Sequence, residues 1–158
     1  MAQGNEIIVT AEPKGVFKEG IIHGTPKPGT LMQVRNTAPV SGRHTWEPYA
    51  PGADGDRALI AVLLPDHLQG KTATDAYVTG TRGFLYCPAL GEELNVLCTA
   101  PGTGTGDSVA IGQKFIGKNT TGLLIKTTGT PEQEPFEALE AIDDLVEAGN
   151  LVHVQFIG

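Results

Sequence analysis

Gly70-Lys71-Thr72 has the form of the end of a phosphate-binding loop. Such a loop needs a second glycine five residues ahead of its GKT glycine, so that backbone amides wrap the phosphates. Pro65 stands there, and the ATDAYV stretch after Thr72 reads as extended, so no helix N-terminus awaits a phosphate. Gly102 to Gly106 alternates Gly and Thr without G-x-G-x-x-G spacing, which reads as a surface loop. The histidines His23, His44, His67 and His153 include no pair at zinc-finger or H-E-x-x-H spacing. Carboxylates bunch at Glu92-Glu93 and along Glu132 to Glu147. That pattern reads as a solvated acidic face, not as two acids held across a cleft. Ser41 and Ser108 sit in loops without a G-x-S-x-G elbow. The sequence therefore predicts no enzyme: no catalytic residue, no cofactor and no metal site. Asn119-Thr120-Thr121 is a glycosylation sequon, which matters only in a secreted chain.

Two groups of apolar residues suit contact better than catalysis. Trp46, flanked by His44 and Tyr49 in a polar stretch, reads either as an exposed interface anchor or as a loop residue folded back on the core. Ile7, Ile8 and Val9 lie in a β-prone run from Glu6 to Thr10, broken by Pro13 and Gly15. Such a run needs a strand partner, either its own sheet or a neighbouring subunit.

The elements that must hold these residues are short and extended. Glycine (21) and proline (11) make up about a fifth of the 158 residues and are spread as punctuation, an all-β signature. Ala58–Leu64 (ALIAVLL) is too short for an ordinary helix and suits a strand buried on both faces. Further strands are predicted at Thr30–Arg35, Asp75–Thr79, Arg82–Cys87, Leu94–Thr99, Ser108–Ile111, Gln113–Ile116 and Leu123–Thr128. Ala38–Gly55 reads as a long loop or hairpin tip with a brief extended piece at His44–Tyr49. A hairpin of Arg82–Cys87 with Leu94–Thr99 would set Cys87 roughly opposite Cys98, and two small buried thiols are the simpler reading. Leu151–Ile157 is a closing strand, with Val152, Val154 and Phe156 on one face and His153 and Gln155 on the other. Pro131–Gly149 fits a helix by the spacing of Phe136, Leu139, Ile142 and Val146, and partly fits a strand.

Eleven Lys and Arg against eighteen Asp and Glu give a net charge of −7, and the basic residues are scattered. Non-specific nucleic-acid binding needs clustered cations, so no nucleic-acid partner is expected. The N-terminus has neither a basic nor an apolar leader region, and no run reaches the ~18 apolar residues of a membrane helix. The expectation is a product made in the host cytoplasm, with no membrane partner. Residues 1–15 read as an extended arm and residues 16–158 as a single barrel-like domain.

The order of these segments resembles the small head decoration, or capsid cement, proteins of tailed bacteriophages. The likeness rests on IIHGTPKPGTLMQVR, ALIAVLLPDHLQGKTATDAYVTGTRGFLYCPALGEELNVL, IGQKFIGKNTTGLLIKTTGTP, FEALEAID and the closing VHVQF. It covers most of the chain from about Ile21 onward. It is a rhythm of glycine turns and short strands, not an invariant signature. The resemblance implies a small β-barrel or β-tulip-like domain with long loops and at most one short helix. It makes Ala110–Ile125 adjoining barrel strands and Phe136–Ile142 a strand, with a helical turn only around Asp143–Ala148. It also implies a homotrimer on the outer surface of the virion capsid that clamps neighbouring copies of the major capsid protein. The arm residues Ile7, Ile8 and Val9 would add a strand to a capsid-protein edge.

Overall fold

The computed structural model describes residues 6–10, 12–50, 60–99, 107–117, 121–126, 135–145 and 149–158. Its strands are β1 (Val16–Ile22), β2 (Leu31–Val34), β3 (Thr45–Pro48), β4 (Ile60–Leu63), β5 (Arg82–Cys87), β6 (Glu93–Cys98), β7 (Asp107–Val109), β8 (Lys114–Gly117), β9 (Leu124–Lys126), β10 (Phe136–Ala138), β11 (Ile142–Leu145) and β12 (Asn150–Phe156). The only helical element among the described residues is a single 3-10 turn, His67–Gln69, capped by Asp66. The all-β reading of the sequence is the observed fold.

The strands close into two five-stranded barrels and one ribbon. The first barrel runs β1-β3-β2-β4-β5, the second β10-β12-β6-β9-β8, and β11 pairs with β7. Each barrel holds one parallel pair, β1 with β3 and β6 with β9. Closure removes the exposed sheet edges that invite unwanted pairing.

Side-chain alternation explains the packing. Ile22, Met32, Trp46, Ala61, Leu63 and Leu85 form one apolar cluster drawn from all five strands of the first barrel. Their neighbours Leu31, Val62 and Tyr86 belong to a second cluster, together with Leu94, Val96, Phe115, Leu124, Phe136 and Val152 of the second barrel. Because successive side chains point to opposite faces, β4 sends Ala61 and Leu63 into its own barrel and Val62 into the core shared with the other. That is why IAVL is apolar without interruption. Two glycines permit close approaches. A Cβ on Gly20 would lie 2.2 Å from the Trp46 ring. Gly122, at φ +66, would bring a Cβ to 2.3 Å from the Leu31 carbonyl, where the barrels meet.

Several sequence expectations need correction. The extended piece expected at His44–Tyr49 is present as β3, but it is a barrel strand between β1 and β2 and not part of a loop. Asp75–Thr79 forms no strand; it is held by isolated bonds such as Tyr77 N–H to the Pro26 carbonyl at 2.9 Å. β5 makes no hairpin with β6, because β1 and β4 already occupy both of its edges. In the Pro131–Gly149 segment the helix reading fails and the strand reading holds at Phe136–Ala138: Phe136 and Ala138 face the core at strand period, and Phe136 packs on Phe156 with ring centroids 5.3 Å apart. The helical turn expected from Asp143 is absent from the described part: Ile142–Leu145 is strand β11, which pairs with β7 and buries Leu145. Residues 146–148, the Gly102–Gly106 run, Asn119, Thr120 and Glu132 lie outside the described residues.

Candidate functional site: the N-terminal strap and its groove

The run Glu6–Thr10 lies along β6 of its own chain. Asn95 N–H donates to the Ile7 carbonyl at 2.8 Å, and Val9 N–H to the Glu93 carbonyl at 3.0 Å. Asn95 Nδ2 donates to the Glu6 carbonyl at 2.6 Å, and Glu93 N–H to Thr10 Oγ1 at 2.7 Å. Ile7 is the anchor of this strap and is buried in the shared core. Of the two partners open to this run, its own sheet takes it, at the one stretch of β6 that the barrel strands leave unpaired.

A buried carboxylate clasps the chain beyond the strap, at Lys14 and Gly15. Glu92 is only 3% exposed. Its Oε1 accepts from Tyr86 Oη at 2.6 Å, from Gly15 N–H at 3.2 Å and from the Lys14 N–H. Its Oε2 accepts from Ala89 N–H at 2.6 Å. Burial pushes the Glu92 pKa up, but these four donors outweigh it and hold the carboxyl below its ordinary range. Burial, reinforced by the bond to Glu92, pushes Tyr86 up to about 12. The expected solvated acidic face is corrected here. Glu92 is interior, and Glu93 pairs with His153 at 3.0 Å. The amides of Lys14 and Gly15, nearly eighty residues away in the chain, join the local donors Tyr86 and Ala89 in setting this acid apart from an ordinary surface one.

The strap forms one wall of an apolar groove of about 430 Å³, lined by Ile7, Ile8, Phe17, Leu64, Leu68 and Phe84. Leu68 is 82% exposed and Phe17 58% exposed. Phe17 packs on Tyr86 with ring centroids 4.9 Å apart, and the Arg82 guanidinium lies 5.5 Å from the Phe84 ring. The sequence held one signal for this wall: Val16 and Phe17 are adjacent, so a strand cannot bury both against a single core.

The other expected contact residues do not converge on the groove. Trp46 lies inside the first barrel and Tyr49 in the shared core, both buried. Neither can anchor a partner from the surface, so of the two readings the folded-back one describes them. Val9 remains exposed and Ile8 half-buried.

Thr72 and the two cysteines have structural surroundings. Thr72 N–H and Oγ1 both donate to Asp75 Oδ2, at 2.8 and 2.9 Å, so the last residue of the GKT triplet opens a turn that closes at Asp75. Cys87 and Cys98 are free and belong to different barrels. Burial raises both thiol pKa values, which disfavours the reactive thiolate. Among the described residues no group of three or more His, Cys, Asp or Glu side chains could hold a metal ion.

This geometry defines a class: a paired-barrel β protein with an accessible apolar groove. No family model matches the chain, and no curated protein matches it. Among solved structures, the chain is similar to the crystal structure of the head fiber gp8.5 N base in bacteriophage phi29. That match has 13% identity and a TM-score of 0.55, and it covers 90% of this chain and 93% of the other. At that identity the likeness is one of fold.

Proposed function

We propose that this chain is a structural component of a tailed-phage head, bound to the outside of the expanded capsid and cementing neighbouring major capsid proteins. The observation that carries this reading is the match along nearly the whole length of both chains to the base of a phage head fibre. The physics suits the role. DNA packed in a head presses outward, and a cement adds buried interface across the joints between capsid subunits. Interfaces of modest area suffice when many copies act together. Closed barrels with a shared core make a stiff body for this purpose. Self-association into a homotrimer is part of the proposal.

The same match favours a second reading, in which the chain is the mount of a head fibre. Mass spectrometry of purified DNA-filled heads, unexpanded heads and tails tests both. The cement reading expects the chain on expanded heads, with heads lacking it rupturing at a lower temperature. Heads that lose a projecting fibre but keep their rupture temperature would point to the mount. Recovery on tails alone would refute both.

A further inference from the structure

We propose that the strap and its groove form a docking site for an extended segment of a partner polypeptide, which adds as a strand to the outer edge of the strap. Three observations carry this. Ile8 faces Leu94 as a pair whose hydrogen bonds run through the flanking residues, Asn95 N–H to Ile7 and Val9 N–H to Glu93. The N–H and carbonyl of Ile8 therefore point away from β6, and neither has a partner among the described residues. An unpaired strand edge is the template that β-augmentation uses, since backbone bonding accepts any sequence.

The groove lies alongside that edge. A strand bonded to Ile8 would send alternate side chains toward Phe17, Leu68 and Phe84, burying apolar surface that water now covers. The site thus asks for an extended segment, apolar at every second residue. Charge complementarity narrows it further. Glu6 at the groove rim is exposed and has no ionic partner among the described residues. A Lys or Arg beside the apolar positions completes the complement. On the reading of this chain as a head component, the segment belongs to the shell protein beneath it, and the strap stays docked on its own barrel while presenting its outer edge.

The test uses the full chain and a probe peptide: an acetylated heptapeptide of one lysine followed by alternating valine and threonine. Binding is expected to slow exchange of the Ile8 amide at least ten-fold and to shift NMR signals only along the strap and groove. Leu68→Asp should weaken binding by at least about ten-fold, the effect of losing one buried leucine contact. Leu90→Asp, at an exposed leucine outside the groove, should leave it unchanged. A backbone N-methylated peptide should fail to bind. Equal binding of the methylated peptide, or none by the parent, overturns the proposal. So does self-association that Leu68→Asp abolishes, which would make a second copy the occupant. Leu68→Asp protein that still joins heads normally overturns this interface and leaves the head role standing. Peptide binding by a chain absent from heads does the reverse.

Discussion

Replacing Glu92 by glutamine isolates the clasp at low steric cost. The better amide orientation keeps the side-chain oxygen toward Tyr86, Lys14 and Gly15 and turns the NH2 toward the Ala89 N–H, which now supplies Oε2 with a 2.6 Å bond. Donor then faces donor at Ala89, a loss of about 1–3 kcal/mol, and three remaining bonds lose the assistance of a full charge. Burying an amide is cheaper than burying a carboxylate, which offsets part of this. The net expectation is a destabilisation of about 2–4 kcal/mol, against about 5–15 kcal/mol for a typical domain. Urea unfolding followed by the fluorescence of Trp46, buried in the first barrel, measures it. The pH dependence has a definite sign. The folded-state pKa of Glu92 lies below its unfolded value. Its stabilisation is therefore complete above the ordinary carboxylate pKa of about 4.3, and it is lost as pH falls from there through the folded-state value. The gap between wild type and Glu92→Gln should hold from about pH 8 to 5 and shrink below about pH 4. A gap under about 0.5 kcal/mol at pH 7, or one equally large at pH 3, would refute the clasp.

Two other perturbations test the frame. Gly122→Ala sets a Cβ 2.3 Å from the Leu31 carbonyl at a left-handed φ of +66. A loss of about 3 kcal/mol and a melting temperature lower by about 6–12 °C are expected; calorimetry within about 2 °C of wild type would contradict the contact. Cys98 is fully buried and Cys87 half-buried, so a Cys87→Ala variant should react with a thiol reagent only at the rate of global unfolding. Unfolded wild type should titrate as two free thiols without reductant, and fast native labelling of Cys98 would count against the packing of β6.

Local chain physics settled much of this molecule in advance. Glycine and proline between short apolar runs left no room for long helices. The period of two in VHVQF placed Val152 and Val154 inward and His153 outward, as observed. The unbroken apolar run IAVL marked a strand covered on both faces. Tertiary structure decided which strands meet. Pairing joins residues distant in the chain, so no local pattern reveals that β5 lies between β1 and β4 and leaves no edge for residues 75–79 or for β6. It also decided the fate of single residues whose types are ambiguous alone. Trp46 went inside because Gly20 makes room for its ring. Glu92 went inside because the distant Lys14 and Gly15 amides join the nearby Tyr86 hydroxyl and Ala89 amide on its carboxylate. Leu68 stayed outside because a 3-10 turn lifts it beside the groove. Burial depends on what closes around a residue, and closure is a property of the assembled barrels.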